Sequence, residues 1–360
     1  MKLFEIQYAR AFAMVAVLFV HFSSNGLIGS PLDTPMSHAY GLANSIGRLG
    51  VPVFFLLSGL VLFYTTNKRP FNLDTIKTFY KKRIQFIIIP YITVSLGYFV
   101  FTWIVYYDYS LLEGMQLFIK QLFTGQTHMH LYFLFILIQF YLIFPILYYV
   151  YKKSRLSIGA LLVISLIVQF GWVYLNKHYF EVSNRSIVFL TYFSFFAFGG
   201  ALGLHYEKVR QALSKITFKL VSTGTFVIAV SLMYIYDRTA RTGIMYSYIT
   251  DGSVISTLFD VLWTLLGISA AICFLVVGKW IVDRQFVRTG NFLNRIADLS
   301  FGIYLIHPFF LIIFMELQPA NTPLVFHSWQ IITAVGVTAL SWLATVIISK
   351  NKFGWIFIGK

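Results

Sequence analysis

The chain is 360 residues long, 58% hydrophobic and only 11% charged, with a mean hydropathy of +0.75. That composition excludes a water-soluble globular domain of this size and describes a polytopic membrane protein. A net charge of +15 would suggest nucleic acid in a soluble protein, but the placement of the basic residues gives another account of it.

Ten apolar segments are close to the roughly twenty residues that cross a bilayer: 8–29, 46–66, 86–106, 131–150, 157–175, 187–204, 217–236, 256–277, 299–317 and 329–349. The predicted fold class is an all-α bundle of about ten transmembrane helices forming one membrane domain over 1–360. With the N-terminus inside, the cytoplasmic pieces 1–9, 67–85, 151–156, 205–216, 278–298 and 350–360, counted with Lys219 just inside the seventh span, carry twenty-one Lys and Arg. The outer loops carry five: Lys120, Lys177, Arg185, Arg238 and Arg241. This asymmetry predicts two cytoplasmic termini and explains the net charge with no nucleic-acid partner. The first segment lacks a small-residue cleavage site and is expected to be a retained span. In the outer connection 107–130, residues 113–124 have the spacing of a short interfacial helix.

The first span carries two costly residues, Arg10 and His21. Eleven positions are close to three turns, so both side chains leave one face of the helix, roughly 16 Å apart along the axis. A charged Arg within a span costs roughly 2.5–3.5 kcal/mol, and such residues usually face a polar interior. His21 suits the abstraction of a hydroxyl proton at physiological pH. Read alone, a histidine bonded to a neighbouring helix is the plainer reading, and the face shared with Arg10 shifts the weight toward a polar cavity.

The loop after span two holds Lys68, Arg69, Lys77, Lys81, Lys82 and Arg83. Such a run is a positive-inside signal and a contact for anionic membrane lipids; it also has the charge to clamp the phosphates of a cytosolic donor. Ser58 and Gly59 at mid-span read as a close-packing pair, with cavity lining as the other reading. His128 and His130 precede span four, with no third ligand at useful spacing for a metal. His307 stands before Pro308, which kinks its helix and frees a carbonyl; a packed, hydrogen-bonded imidazole is the plainer reading. Asp260 is expected to be solvated at the outer end of span eight. Cys273, the only cysteine, excludes an intrachain disulfide and is read as a buried, inert thiol.

Taken in order, the Arg10-to-His21 spacing, GVPVFFLLSG (50–59), YKKRIQFIIIPY (80–91), HLYFL (130–134), FFAFGGALG (195–203) and SFGIYLIHP (300–308) resemble the acyltransferase-3 family of integral membrane acyltransferases. The resemblance covers about residues 5–310. It implies a ten-helix core, placed in the bacterial plasma membrane, that takes an acyl group from cytosolic acyl-coenzyme A. Acetyl-coenzyme A is the expected co-substrate, with no tightly bound cofactor and no metal. The acceptor is a hydroxyl of a secreted or cell-surface polysaccharide, or of its lipid-linked precursor, and other polysaccharide-synthesis proteins are expected partners. Carried over, His21 is the catalytic histidine and Arg10 its partner in the donor channel. Lys81, Lys82 and Arg83 hold the coenzyme phosphates. Ser58, His130, Tyr304 and His307 match motif positions that line a cavity or face the acceptor.

The chain departs from the pattern at Lys81 and Lys82, where members often carry Arg, and at Tyr132, where Trp is common. Many members also carry a fused extracytoplasmic esterase-like domain, and this chain ends shortly after span ten, so it is expected to present the acyl group to its acceptor or to a partner itself. Two other classes remain beside this one, a glycan or lipid-linked saccharide transporter and a non-catalytic scaffold. Against transport stand the absence of an inverted repeat and of matched interrupted helices. Within the enzyme class, a succinyltransferase is the alternative, because Arg238 and Arg241 would favour an anionic product.

Overall fold

The computed structural model describes residues 3–106, 109–319 and 322–359. Lys2 and Lys360, which enter the charge balance, and residues 107–108 of the outer connection lie outside them. The described residues form helices and connections, with no strand among them.

In chain order the helices are α1 (Phe4–Gly29), α2 (Pro35–Gly47), α3 (Gly50–Asn67), α4 (Leu73–Arg83), α5 (Ile89–Tyr106), α6 (Leu111–Leu122), α7 (Tyr132–Ser154), α8 (Ile158–Leu175), α9 (Phe193–Leu204), α10 (Tyr206–Leu213), α11 (Ile216–Arg241), α12 (Ile244–Tyr248), α13 (Gly252–Asp283), α14 (Val287–Glu316), α15 (Pro323–Lys350) and α16 (Trp355–Ile358). The starts are set locally. Thr34, Asn72, Ser157 and Asp251 each accept a hydrogen bond from a backbone N–H in the first turn of the helix that follows. Ser110 and Glu113 form a reciprocal capping box on α6. Pro35 occupies the first turn of α2, where its missing N–H costs nothing.

Nine helical stretches among the described residues are long and apolar enough to cross a membrane, so the protein is a multi-pass, all-α membrane protein. The tenth predicted span, 187–204, is shorter than the rest. Two tight 3₁₀ turns, Arg185–Ile187 and Phe189–Tyr192, precede α9, leaving only twelve α-helical residues. The second and third spans reach further than their hydropathy suggests. A turn at Arg48–Leu49 joins α2 to α3. A π-helical turn, Ile84–Ile88, joins α4 to α5, so the basic run continues into the span instead of ending in a loop. Arg238 and Arg241 lie in the last turn of α11. Asp260 is buried within α13, only 6% exposed, so the expected solvation from the mouth is absent.

The chain divides into two compact units. The first comprises α1, α2, the start of α3, α10 to α13, and the parts of α14 and α15 up to residue 300 and over 313–338. At its centre α1 buries Ala9, Ala11, Ala13, Met14 and Val17. Its neighbours approach closely because they present glycine: a Cβ on Gly47 would lie 2.4 Å from the Val20 nitrogen, and one on Gly278 would lie 2.6 Å from the Glu5 carbonyl. The second unit comprises the rest of α3, α4 to α9, residues 301–312 of α14, and the chain from 339. Its core is aromatic. Phe63 packs edge-on against Phe144, Tyr148 and Phe196, and Phe140 stacks on Phe196 at 4.3 Å.

Within the second unit, Pro308 stands inside α14, which continues as helix on both sides of it. The Phe309 N–H and the Leu305 C=O, i and i−4 partners in a regular helix, are both bonded to the Tyr98 hydroxyl of α5. That hydroxyl accepts from Phe309 N (3.1 Å) and donates to the Leu305 carbonyl (2.9 Å).

Candidate active site

In the first unit, α1 runs without a break from Phe4 to Gly29. Arg10 and His21 are therefore on one continuous helix, and both are half-buried. Near its start, Glu5 is almost wholly buried and accepts from Arg210 Nε (2.7 Å) and the Tyr206 hydroxyl (3.1 Å) of α10. That bond and charge raise the Arg210 guanidinium above its already high range.

Just beyond His21 the helix turns polar. Ser23 and Ser24 donate back to the carbonyls of Phe19 and Val20. Asn44 of α2 donates to both hydroxyls, at 3.2 and 3.0 Å. Asn44 Oδ1 in turn accepts from Arg48 Nε (3.2 Å), and Arg48 pairs with Asp237 of α11 at 3.1 Å. Ser45 also donates to Asp237 (3.0 Å), and the Arg48 guanidinium lies 5.6 Å from the Phe259 ring centre. This chain of side chains fixes the turn of α1 next to His21 relative to α2 and α11. Arg238 is bonded to Asp33, and Arg241 donates to the Leu27 carbonyl at 2.9 Å.

In the second unit, consecutive residues on α4 fan apart at about 100° each. Lys81 lines a cleft of about 490 Å³ with Lys77, Tyr80, Ile84, Gln85 and Ile89. Lys82 is exposed. Arg83 is half-buried and lies over the rings of Phe79 (5.0 Å) and Tyr141 (4.7 Å). The predicted clamp thus has two exposed lysines, Lys81 at the edge of a cleft, and an arginine held against aromatic faces.

The same unit gathers three predicted positions. His130, Tyr304 and His307 are all buried. The His130 ring lies 5.4 Å from Tyr304 and 5.9 Å from His307, and the Tyr304 hydroxyl donates to the His130 carbonyl. His307 Nδ1 donates to the Ile303 carbonyl at 3.1 Å. His128 and His130 share a hydrogen bond between their Nδ1 atoms (2.9 Å), and Tyr98 stacks on His128 at 4.4 Å. Sequence reasoning passed over Tyr98, since a tyrosine in an apolar span carries no signal of its own. Ser58 is half-buried on α3, and its neighbour Gly59 packs against α9 with a virtual Cβ 2.0 Å from the Phe196 carbonyl. Among the described residues, no group of three or more His, Cys, Asp or Glu is placed to hold a metal.

Comparison with known proteins adds the family. A probable poly-beta-1,6-N-acetyl-D-glucosamine export protein of Staphylococcus aureus (strain MSSA476) is 27% identical over 279 residues, covering 73% of this chain and 69% of that protein. A protein of the same description from Staphylococcus epidermidis is 25% identical over 324 residues, covering 85% and 81%. No solved structure matches. A family model described as an acyltransferase domain, that of the acyltransferase-3 family, matches residues 3–346. The chain belongs to that family of acyltransferases.

Proposed function

We propose that the protein is a membrane O-acyltransferase. It moves an acyl group, acetyl by default, from cytosolic acyl-coenzyme A to a hydroxyl of a secreted or cell-surface polysaccharide or its lipid-linked precursor. The observation that carries this reading is the pairing of Arg10 with His21 on one unbroken, half-buried helix, inside a region matched almost end to end by the family model.

The chemistry follows from the residue types. His21 takes the proton of the acceptor hydroxyl as its oxygen attacks the thioester carbonyl. The C–O bond forms, the C–S bond breaks, and the imidazolium returns its proton to the leaving thiolate. Arg10 sets a positive charge for the donor, and Lys81, Lys82 and Arg83 bind its phosphates, with Arg83 presented by its aromatic seat. Exclusion of water from the bundle protects the thioester. The excess of basic residues in the even-numbered connections supports a cytosolic donor side and two cytoplasmic termini. Arg238 and Arg241 are engaged with Asp33 and the Leu27 carbonyl, which favours acetyl over succinyl.

The export wording of the staphylococcal relatives favours a second reading, movement of a glycan across the membrane. One preparation separates the two. In proteoliposomes given labelled acetyl-coenzyme A and candidate glycans, wild type is expected to release coenzyme A. His21→Ala is expected to lose about 10²–10⁴-fold of that rate, the usual contribution of a general base. Removing the charges of Lys81, Lys82 and Arg83 weakens donor binding. Glycan flux without coenzyme consumption would replace the transferase reading by export.

A further inference from the structure

One helical turn past His21 on α1, at i+4 and hence on the same face, stands Asn25. Its amide Nδ2 donates to Gln318 Oε1 (3.0 Å) and to Gln330 Oε1 (3.3 Å), and Gln330 Nε2 reaches Gln318 Oε1 at 3.4 Å. Gln330 is on α15 and is 5% exposed, whereas Asn25 and Gln318 are half-buried. Three neutral amides thus converge where α1 approaches its Gly29 end.

Beside them Tyr40 of α2 packs on α1 at Gly26, where a Cβ would fall 2.6 Å from the tyrosine ring. The Tyr40 hydroxyl meets His327 Nδ1 at 3.1 Å, with ring centres 5.7 Å apart. His327 precedes Gln330 by three positions on α15 and so shares its side of the helix.

We propose that this cluster binds a saccharide, and that Asn25 and Gln318 hold neighbouring hydroxyls of the pyranose that receives the acyl group. The inference rests on the acceptor role given to His21 above. The amides leave a specific pattern of valences. Among the described residues Asn25 Oδ1 accepts no hydrogen bond and Gln318 Nε2 donates none. An amide oxygen accepts and an amide NH₂ donates, so one sugar hydroxyl gives its proton to Asn25 Oδ1 while the next accepts from Gln318 Nε2. Uncharged donors and acceptors beside half-buried aromatic rings suit a neutral sugar with an apolar C–H face. A charged acceptor would call for a counter-ion. Amides between membrane helices also serve as packing contacts, but Gln318 lies beyond the end of α14, in the connection to α15. Its oxygen is engaged by Asn25 and Gln330, while its NH₂ is left to a ligand.

The test uses the full chain in nanodiscs with two fluorescent pentasaccharides, β-1,6-linked N-acetylglucosamine and β-1,4-linked glucose. Binding is read by polarisation, and coenzyme A release is read separately. Gln318→Ala and Asn25→Leu are expected to raise the Kd of a bound pentasaccharide at least ten-fold. Their KM for acetyl-coenzyme A stays within two-fold, and the unfolding midpoint of Gln318→Ala stays at the wild-type value. Wild type that binds neither sugar, or variants that bind as wild type does, would overturn the proposal. So would a loss of donor turnover with sugar affinity intact, which marks a packing role. If His21→Ala releases coenzyme A at the wild-type rate while sugar binding still depends on Gln318, the transferase reading fails and the saccharide site stands.

Discussion

The ion pair between Arg48 and Asp237 is the sharpest test of how the polar end of the first unit is held. Removing one member of a buried pair costs about 3–5 kcal/mol, because the remaining charge is stranded. Here the Arg48 side chain is 30% exposed and Asp237 14%, so water screens part of that cost. Arg48→Met takes the 3.1 Å partner from the more buried charge and leaves it the Ser45 hydroxyl (3.0 Å) and the more distant charge of Arg241, and a loss of about 2–3 kcal/mol follows. Asp237→Leu leaves Arg48 its bond to Asn44 and its place by the Phe259 ring, so about 1–2 kcal/mol is expected. The double variant removes both charges and should cost about 1 kcal/mol, less than either single change summed with the other. Unfolding of the four proteins by SDS titration in mixed micelles gives the cycle, with an expected coupling of at least about 2 kcal/mol. Costs that simply add would refute the pairing as a source of order for α1 and α2.

Two further outcomes are expected. Gly59→Ala would set a methyl group 2.0 Å from the Phe196 carbonyl, whereas Gly171 of α8 has nothing within 4 Å. The first should destabilise by about 3 kcal/mol, the upper end for overpacking because backbone is in the way, and Gly171→Ala should stabilise by roughly 0.5–1 kcal/mol. The same SDS titration reads both, and a neutral Gly59→Ala would exclude close packing of α3 on α9. At the start of α6, the hydrogen bonds from Ser110 lower the Glu113 carboxyl below its usual range. Stabilisation from a lowered pKa is present above the unfolded value and disappears as pH falls through the folded one. Amide exchange in the first turn of α6 should therefore quicken below about pH 4, and Glu113→Gln should remove that pH dependence.

Much of this architecture was legible because hydropathy reports lipid exposure directly. The long apolar runs became helices, whereas the meeting of SFGIYLIHP and HLYFL, 170 positions apart, through Tyr304 and His130 is visible only in the fold. Other features were hidden for physical reasons. The 187–204 run has the composition of a span, yet hydropathy cannot show that its first third winds as 3₁₀ turns. Arg48 and Asp237 lie 189 positions apart, and nothing in either helix names the other. Asn25, Gln318 and Gln330 carry no charge, so they escape a search for ionisable residues within spans; only their convergence marks them. The basic run of α4 was read as one unit, but helical geometry sends its members to different surroundings.

The hydroxyl of Tyr98 gives α14 a backbone bond made by another helix. A helix normally keeps its ladder to itself, and its bends are its own affair. Here the stretch on either side of Pro308 keeps both bonds only where α5 holds its place beside it, since both bonds to one oxygen have directional limits. The two helices are in that sense a single mechanical part. His307 sits within that splice and His128 lies against the splicing ring, so these two imidazoles are held by the joint between the helices.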